Sequence, residues 1–125
     1  MLNQLPVWEK LAKLIIWKQI GTLKGKTILD FGSGTGITAD NYATDNKVIA
    51  VEPSEEMLAK QVNTNGYQQI VGSTDELKKL PSECFDYIFC HNVLEYADYR
   101  EIIVREFYRL IKPNGKLSIV KHNRN

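Results

Sequence analysis

The segment Leu29-Asp30-Phe31-Gly32-Ser33-Gly34-Thr35-Gly36 constrains this chain more than any other. Thr27 to Phe31 reads as a short buried strand, and glycines at alternate positions follow it at once. Glycine lacks a side chain and tolerates positive φ, so the backbone there can turn sharply and pass close to a ligand. Ile37 to about Ala43 then reads as a helix, whose first N–H groups are free to point back into the turn. Strand, glycine turn and helix in this order fit a parallel α/β sheet, where ligands bind at the carboxyl ends of the strands. A turn serving only tight strand–helix packing would look the same in sequence.

The remainder of the chain alternates in the same way. Lys47 to Val51 is a second apolar strand, closed by Glu52-Pro53. Ser54 is a suitable helix N-cap, and Glu55 and Glu56 complement the helix dipole. That helix carries Met57, Leu58 and Val62 and is expected to stop near Asn65-Gly66. Gln69 to Gly72 is a third strand, Thr74 to Leu80 a short helix before Pro81, and Phe85 to Cys90 a fourth strand. A helix from about Asp98 to Ile111 has Ile103, Phe107, Leu110 and Ile111 on one face. Pro113-Asn114-Gly115 marks a turn, and Lys116 to Lys121 a fifth strand. Ahead of all this, Val7 to about Leu23 reads as an amphipathic helix with Trp8, Leu11, Leu14 and Ile15 toward the core and lysines outside. Alternating strands and helices predict an α/β class, Rossmann-like, with a doubly wound parallel sheet.

Glu52 sharpens the reading of the glycine turn. It ends the second strand about 18 residues beyond Gly34, near the spacing of an acid that accepts hydrogen bonds from ribose hydroxyls. A solvated carboxylate before a helix is the alternative. The glycine spacing then bears on the ligand. A dinucleotide fingerprint is G-x-G-x-x-G, whereas here Gly36 comes one residue early and Ile37 holds the third glycine's place. A nucleoside with an amino-acid tail, having no pyrophosphate to cradle, suits that spacing. A nicotinamide-dependent oxidoreductase is disfavoured on the same ground.

With these residues in view, the chain resembles the class I S-adenosylmethionine-dependent methyltransferases. Leu29–Gly36 is similar to the first motif of that family, and Val51-Glu52-Pro53-Ser54-Glu55-Glu56-Met57-Leu58 to the second. Gly72-Ser73-Thr74-Asp75-Glu76-Leu77 resembles the third, and Phe85-Asp86-Tyr87-Ile88-Phe89-Cys90-His91-Asn92-Val93-Leu94-Glu95-Tyr96 the fourth. Leu110 to Leu117 resembles the turn into the fifth strand. The resemblance implies the strand order 3-2-1-4-5 and S-adenosyl-L-methionine as cofactor. It implies that Asp30 and the backbone of Gly32, Ser33, Gly34 and Gly36 hold the methionine end. Glu52 would hold the ribose, Pro53 and Met57 would cover the adenine, and Ser73 and Thr74 would border its amino edge. Many members carry an acid where Ser73 stands. Cys90 and His91 would pass near the methionine carboxyl or the methyl group. His91 is the candidate catalytic base, against a reading in which it only lines the pocket. A finer similarity, in Leu14–Ile20 and His91–Tyr96, to bacterial methyltransferases of a modified tRNA wobble uridine admits tRNA as the methyl acceptor.

Composition limits the alternatives. A length of 125 residues suits one domain, and 43% hydrophobic residues suffice for one core. The net charge of +1 singles out no nucleic-acid or membrane surface. Cys84 and Cys90 form no C-x-x-C pair, so neither a disulfide framework nor a metal site is expected, and a reducing cytoplasm is the simplest compartment. In the resembled family further strands follow the fifth. Residues 1–125 are therefore expected to form a C-terminally incomplete methyltransferase domain, ending before the sixth and seventh strands. That would leave the fifth strand as an exposed edge suited to self-association. A cofactor-binding module without turnover is the second reading.

Overall fold

The computed structural model describes residue 2, residues 5–91 and residues 97–120, without the side chains of residues 97–99. Strands β1 (Thr27–Phe31), β2 (Lys47–Glu52), β3 (Gln68–Val71), β4 (Phe85–His91) and β5 (Ile111–Val120) form one sheet in the order β3-β2-β1-β4-β5. Every neighbouring pair is parallel. Both the class and the order match the sequence expectation.

Strand alternation sorts the side chains into two cores. On one face Leu29, Phe31, Ile49, Val51, Ile88 and Cys90 pack beneath α4 (Thr74–Leu77) and α5 (Ala97–Leu110), which contribute Leu77, Ile103, Phe107 and Leu110. Arg109 fastens α5 to the end of α4 by donating to the carbonyls of Leu77 (2.8 Å) and Leu80 (2.9 Å). On the other face Ile28, Val48, Ala50 and Phe89 pack with Ala39 and Tyr42 of α2 (Ile37–Ala43) and with Tyr67.

The N-terminal helix α1 (Val7–Ile20) corrects one expectation. Trp8 is 63% exposed and Ile15 57%, and Leu11 and Leu14 are exposed as well. The helix does not bury that stripe in the core. It docks by its C-terminal end, where Trp17 and Ile20 reach the core on the α2 face. Trp17 Nε1 donates to Thr38 Oγ1 (3.2 Å), and Tyr42 OH to the Trp17 carbonyl (3.5 Å). Trp17, unlike Trp8, thus packs against the core.

Other boundaries differ for local reasons. Helix α3 (Glu55–Ala59) stops well before Asn65. The Asp40 carboxylate accepts from Thr64 N (2.9 Å), Thr64 Oγ1 (2.7 Å) and Asn65 N (2.8 Å), and Asn63 Oδ1 accepts from Gly66 N. These side-chain bonds replace the helical ladder. The Pro113-Asn114-Gly115 turn lies inside β5 rather than before it. Register passes from Phe85↔Ile111 to Tyr87↔Lys116, so the intervening residues bulge out of the ladder. The expected fourth-motif residues 92–96, and Lys121 at the close of the fifth strand, lie outside the described residues.

Candidate cofactor site

The site is assembled where β1, β2 and β4 deliver their carboxyl ends. Asp30 pairs in register with Ala50 on one side and Phe89 on the other, so it belongs to the α2 face. The same parity places Glu52, in step with Val48 and Ala50, and His91, in step with Phe89, on that face. The sheet therefore brings Asp30, Glu52 and His91, all buried, to one face and one end.

Glu52 ties the strand ends to the glycine turn. Its Oε1 accepts from Gly34 N (2.7 Å) and its Oε2 from Ser54 N (3.0 Å). Each carboxylate oxygen has a second lone-pair direction, so two acceptor positions remain for hydroxyls. The turn itself rests on β2, since Gly32 N and Ser33 N both donate to the Val51 carbonyl (2.8 and 3.1 Å).

The glycines at this turn do different work. Gly34 has φ +61, and a Cβ placed on it would meet nothing within 4 Å. Space beside the backbone is open there. Gly36 has φ +85, and its Cβ would collide with the Tyr67 hydroxyl. That hydroxyl donates to the Val62 carbonyl (2.6 Å), and Val62 N donates to the Thr35 carbonyl (2.8 Å), which ties the turn to the loop after α3. Gly36 is thus required by packing against Tyr67, a residue the sequence did not single out.

Burial sets the protonation states. Asp30 is pushed from 3.8 up to about 7 by desolvation; the Lys13 ammonium opposes this and the Glu52 charge adds to it. His91 is pushed from 6.5 down to about 4 by burial, with Lys13 adding to the effect. Its ring stacks on Phe89 (5.6 Å between centroids), and Nε2 lies 3.1 Å from Ser118 Oγ. At neutral pH the imidazole is uncharged.

The remaining sequence-named residues fall around this centre. Pro53 and Met57 are exposed beyond the end of β2, Met57 at 43%. Ser73 and Thr74 follow β3, which the Gly72 N to Glu52 carbonyl bond (3.1 Å) draws against β2. Cys90 differs. Its side chain enters the opposite core, among the residues under α5, and burial pushes its thiol up to about 12. Among the described residues no group of His, Cys, Asp and Glu could hold a metal ion, and no helix is long and apolar enough to cross a membrane.

Three observations bear on a nucleoside with an amino-acid tail. The Ser33 hydroxyl in the turn is buried and has no hydrogen-bond partner. Open space lies beside Gly34. An acid with spare acceptor positions closes β2. These residues fit such a ligand.

The chain belongs to the methyltransferase domain family, which it matches over residues 29–119. The family is S-adenosylmethionine-dependent. A ubiquinone biosynthesis O-methyltransferase of Coxiella burnetii (strain Dugway 5J108-111) is 31% identical over 113 residues, 83% of this chain and 47% of its own length. A thiol S-methyltransferase, TMT1B of Rattus norvegicus, is 30% identical over 118 residues, 86% of this chain and 48% of its own. The chain therefore spans about half the length of these curated relatives. Among solved structures, the Haemonchus contortus phosphoethanolamine N-methyltransferase 2 in complex with S-adenosyl-L-methionine superposes with a TM-score of 0.75 at 26% identity, covering 92% of this chain and 30% of that one.

Proposed function

We propose that this chain binds S-adenosylmethionine at the carboxyl ends of β1, β2 and β4 and acts in transfer of its methyl group to a nucleophilic acceptor. The observation that carries the reading is Glu52, held by the glycine turn with acceptor positions to spare. The bound cofactor supplies a sulfonium-activated methyl group. The chain's own residues need only bind, orient and exclude water, and orientation alone lowers such barriers substantially. A base near neutral pKa is what proton transfer favours, and His91 at about 4 is far from that. This supports His91 as a neutral, stacked wall of the pocket rather than as the catalytic base. Asp30, with the backbone of Gly32, Ser33 and Gly34, faces the amino-acid tail, and Pro53, Met57, Ser73 and Thr74 surround the adenine. The unpaired thiols of Cys84 and Cys90 suit a reducing cytoplasm.

Calorimetric titration tests this. S-adenosylmethionine and S-adenosylhomocysteine should bind and NAD should not. Glu52→Ala should weaken binding by about ten- to a hundredfold, the equivalent of roughly 1.5–3 kcal/mol for hydrogen bonds to a charged group. Binding of NAD alone, or unchanged affinity in Glu52→Ala, would overturn the ribose assignment. The acceptor is sought with a radiolabelled methyl group and a panel comprising a thiol, a phenolic hydroxyl, a primary amine and tRNA that carries the modified wobble uridine. Tight cofactor binding with no transfer to any of them would favour a binding module without turnover.

A further inference from the structure

Asparagine followed by glycine occurs twice in this chain, at Asn65-Gly66 and Asn114-Gly115. The pair is reactive because the glycine amide nitrogen can close a five-membered ring onto the asparagine side-chain carbonyl, and no Cβ shields it. Both asparagines are exposed, so access to water does not separate them. Their surroundings do.

Asn65 is held at the atoms that cyclisation needs. Its backbone N–H donates to Asp40 Oδ1 (2.8 Å) and its side-chain amide to the Asp40 carbonyl (2.9 Å). The Gly66 N–H, which would have to lose its proton, donates to Asn63 Oδ1 (2.9 Å). The charge that Asn65 contacts is the Asp40 carboxylate, which opposes a second anion beside it.

Asn114 is placed in the opposite way. It lies in the bulge of β5, between the register pairs Phe85↔Ile111 and Tyr87↔Lys116, so no ladder partner fixes it. Among the described residues its side chain has no hydrogen-bond partner. It lines a cavity with Lys26, Lys112 and Lys116, three cations against the two acids Glu83 and Asp86. Lys112 is paired with Asp86 (3.1 Å). The excess positive charge favours both a deprotonated amide and the oxyanion of the ring-closing step. The bulge also retains the reactive pair, because a Cβ on Gly115 would collide with the Ile111 side chain.

We propose that Asn114 is a site of spontaneous deamidation and that the Asp40 turn protects Asn65 from the same reaction. The Gly115 amide nitrogen gives its proton to solvent and attacks Asn114 Cγ. The N–Cγ bond forms and the Cγ–Nδ2 bond breaks, and ammonia leaves with a proton from water. Water then opens the succinimide at either carbonyl, giving aspartate or isoaspartate. Nothing is oxidised or reduced. The product adds one negative charge among the lysines. The extra backbone atom of isoaspartate falls where the chain already bulges out of the ladder.

The test incubates the 125-residue chain in mildly alkaline buffer and follows both pairs by peptide mapping and mass spectrometry, with aspartate and isoaspartate peptides separated by chromatography. A second sample in guanidinium chloride gives the rate of each pair without structure. In the folded chain Asn114 should convert close to its unfolded rate. Asn65 should convert at least about tenfold more slowly than when unfolded, because hydrogen bonds must break first. Folding that slows Asn114 as much as Asn65, or that leaves Asn65 at its unfolded rate, would overturn the proposal.

Discussion

The two faces of the sheet are built from the same strands and do opposite things. Beneath α4 and α5 the face is closed and apolar; Phe31 and Phe107 meet edge to face (5.7 Å between centroids), and Ile88, Phe85 and Leu110 are fully buried. Beneath α1 and α2 the face is apolar only in its lower half and ends in Asp30, Glu52 and His91. The flanking helices follow suit. α1 and α5 each span 14 residues. α5 buries Ile103, Phe107 and Leu110, whereas α1 buries none of its residues. One face supplies cohesion. The other keeps buried charge and a loosely docked helix, which is where a ligand has something to bind.

The sharpest way to break this contrast is truncation on the two helices. Phe107→Ala should destabilise the chain by about 3–5 kcal/mol, as removal of a buried aromatic does. Trp8→Ala or Ile15→Ala, on the exposed stripe of α1, should stay within about 0.5 kcal/mol. Urea denaturation measures both; comparable losses would mean that α1 is packed as firmly as α5.

Gly36→Ala probes the packing beneath the site. Its positive φ and the collision with Tyr67 both oppose a side chain, and the cost should be about 1–3 kcal/mol. Adding Tyr67→Phe to that variant should recover part of it by removing the hydroxyl oxygen. Absence of any recovery would show that φ alone forbids the substitution.

The two buried titrating groups of the charged face, Asp30 and His91, oppose each other. Asp30 has a raised pKa, so the folded state holds a proton that the unfolded state releases between pH 3.8 and about 7. Stability falls with rising pH across that window. His91 has a lowered pKa, so the unfolded state holds the extra proton between about 4 and 6.5, and stability rises with pH there. The parent should therefore show a shallow profile. Asp30→Asn should unmask a rise from about pH 4 to 6.5, and His91→Gln a fall from about pH 4 to 7. Parallel profiles in all three chains would contradict the assigned shifts.

The smallest expected effect is at the sheet edge. Among the described residues β5 pairs with β4 alone, and Leu117 and Ile119 are 44% and 43% exposed. Edge strands of this kind favour pairing between chains. Light scattering should detect weak, concentration-dependent association that Ile119→Lys reduces without changing cofactor affinity. A parent that stays monomeric at all concentrations would remove β5 from consideration.

Much of the architecture was legible before any coordinates. The apolar runs 27–31, 47–51 and 85–90 and the glycine turn are local patterns, and a parallel sheet follows from their alternation with helices. Glu52 was legible because a strand end and a turn at the right separation meet in every sheet of this topology. Other features were decided only by tertiary packing. Lys13 is indistinguishable in sequence from Lys10 and Lys18, because which lysine faces a site depends on how the whole helix docks. The exposed stripe of α1 reads as core because periodicity reports which residues share a face, not whether anything covers it. Cys90 and His91 are neighbours in one motif, yet strand pleat sends one into the closed core and the other to the charged end. Local sequence determines which elements form and which residues share a side; only the long-range contacts among those elements decide what each side meets.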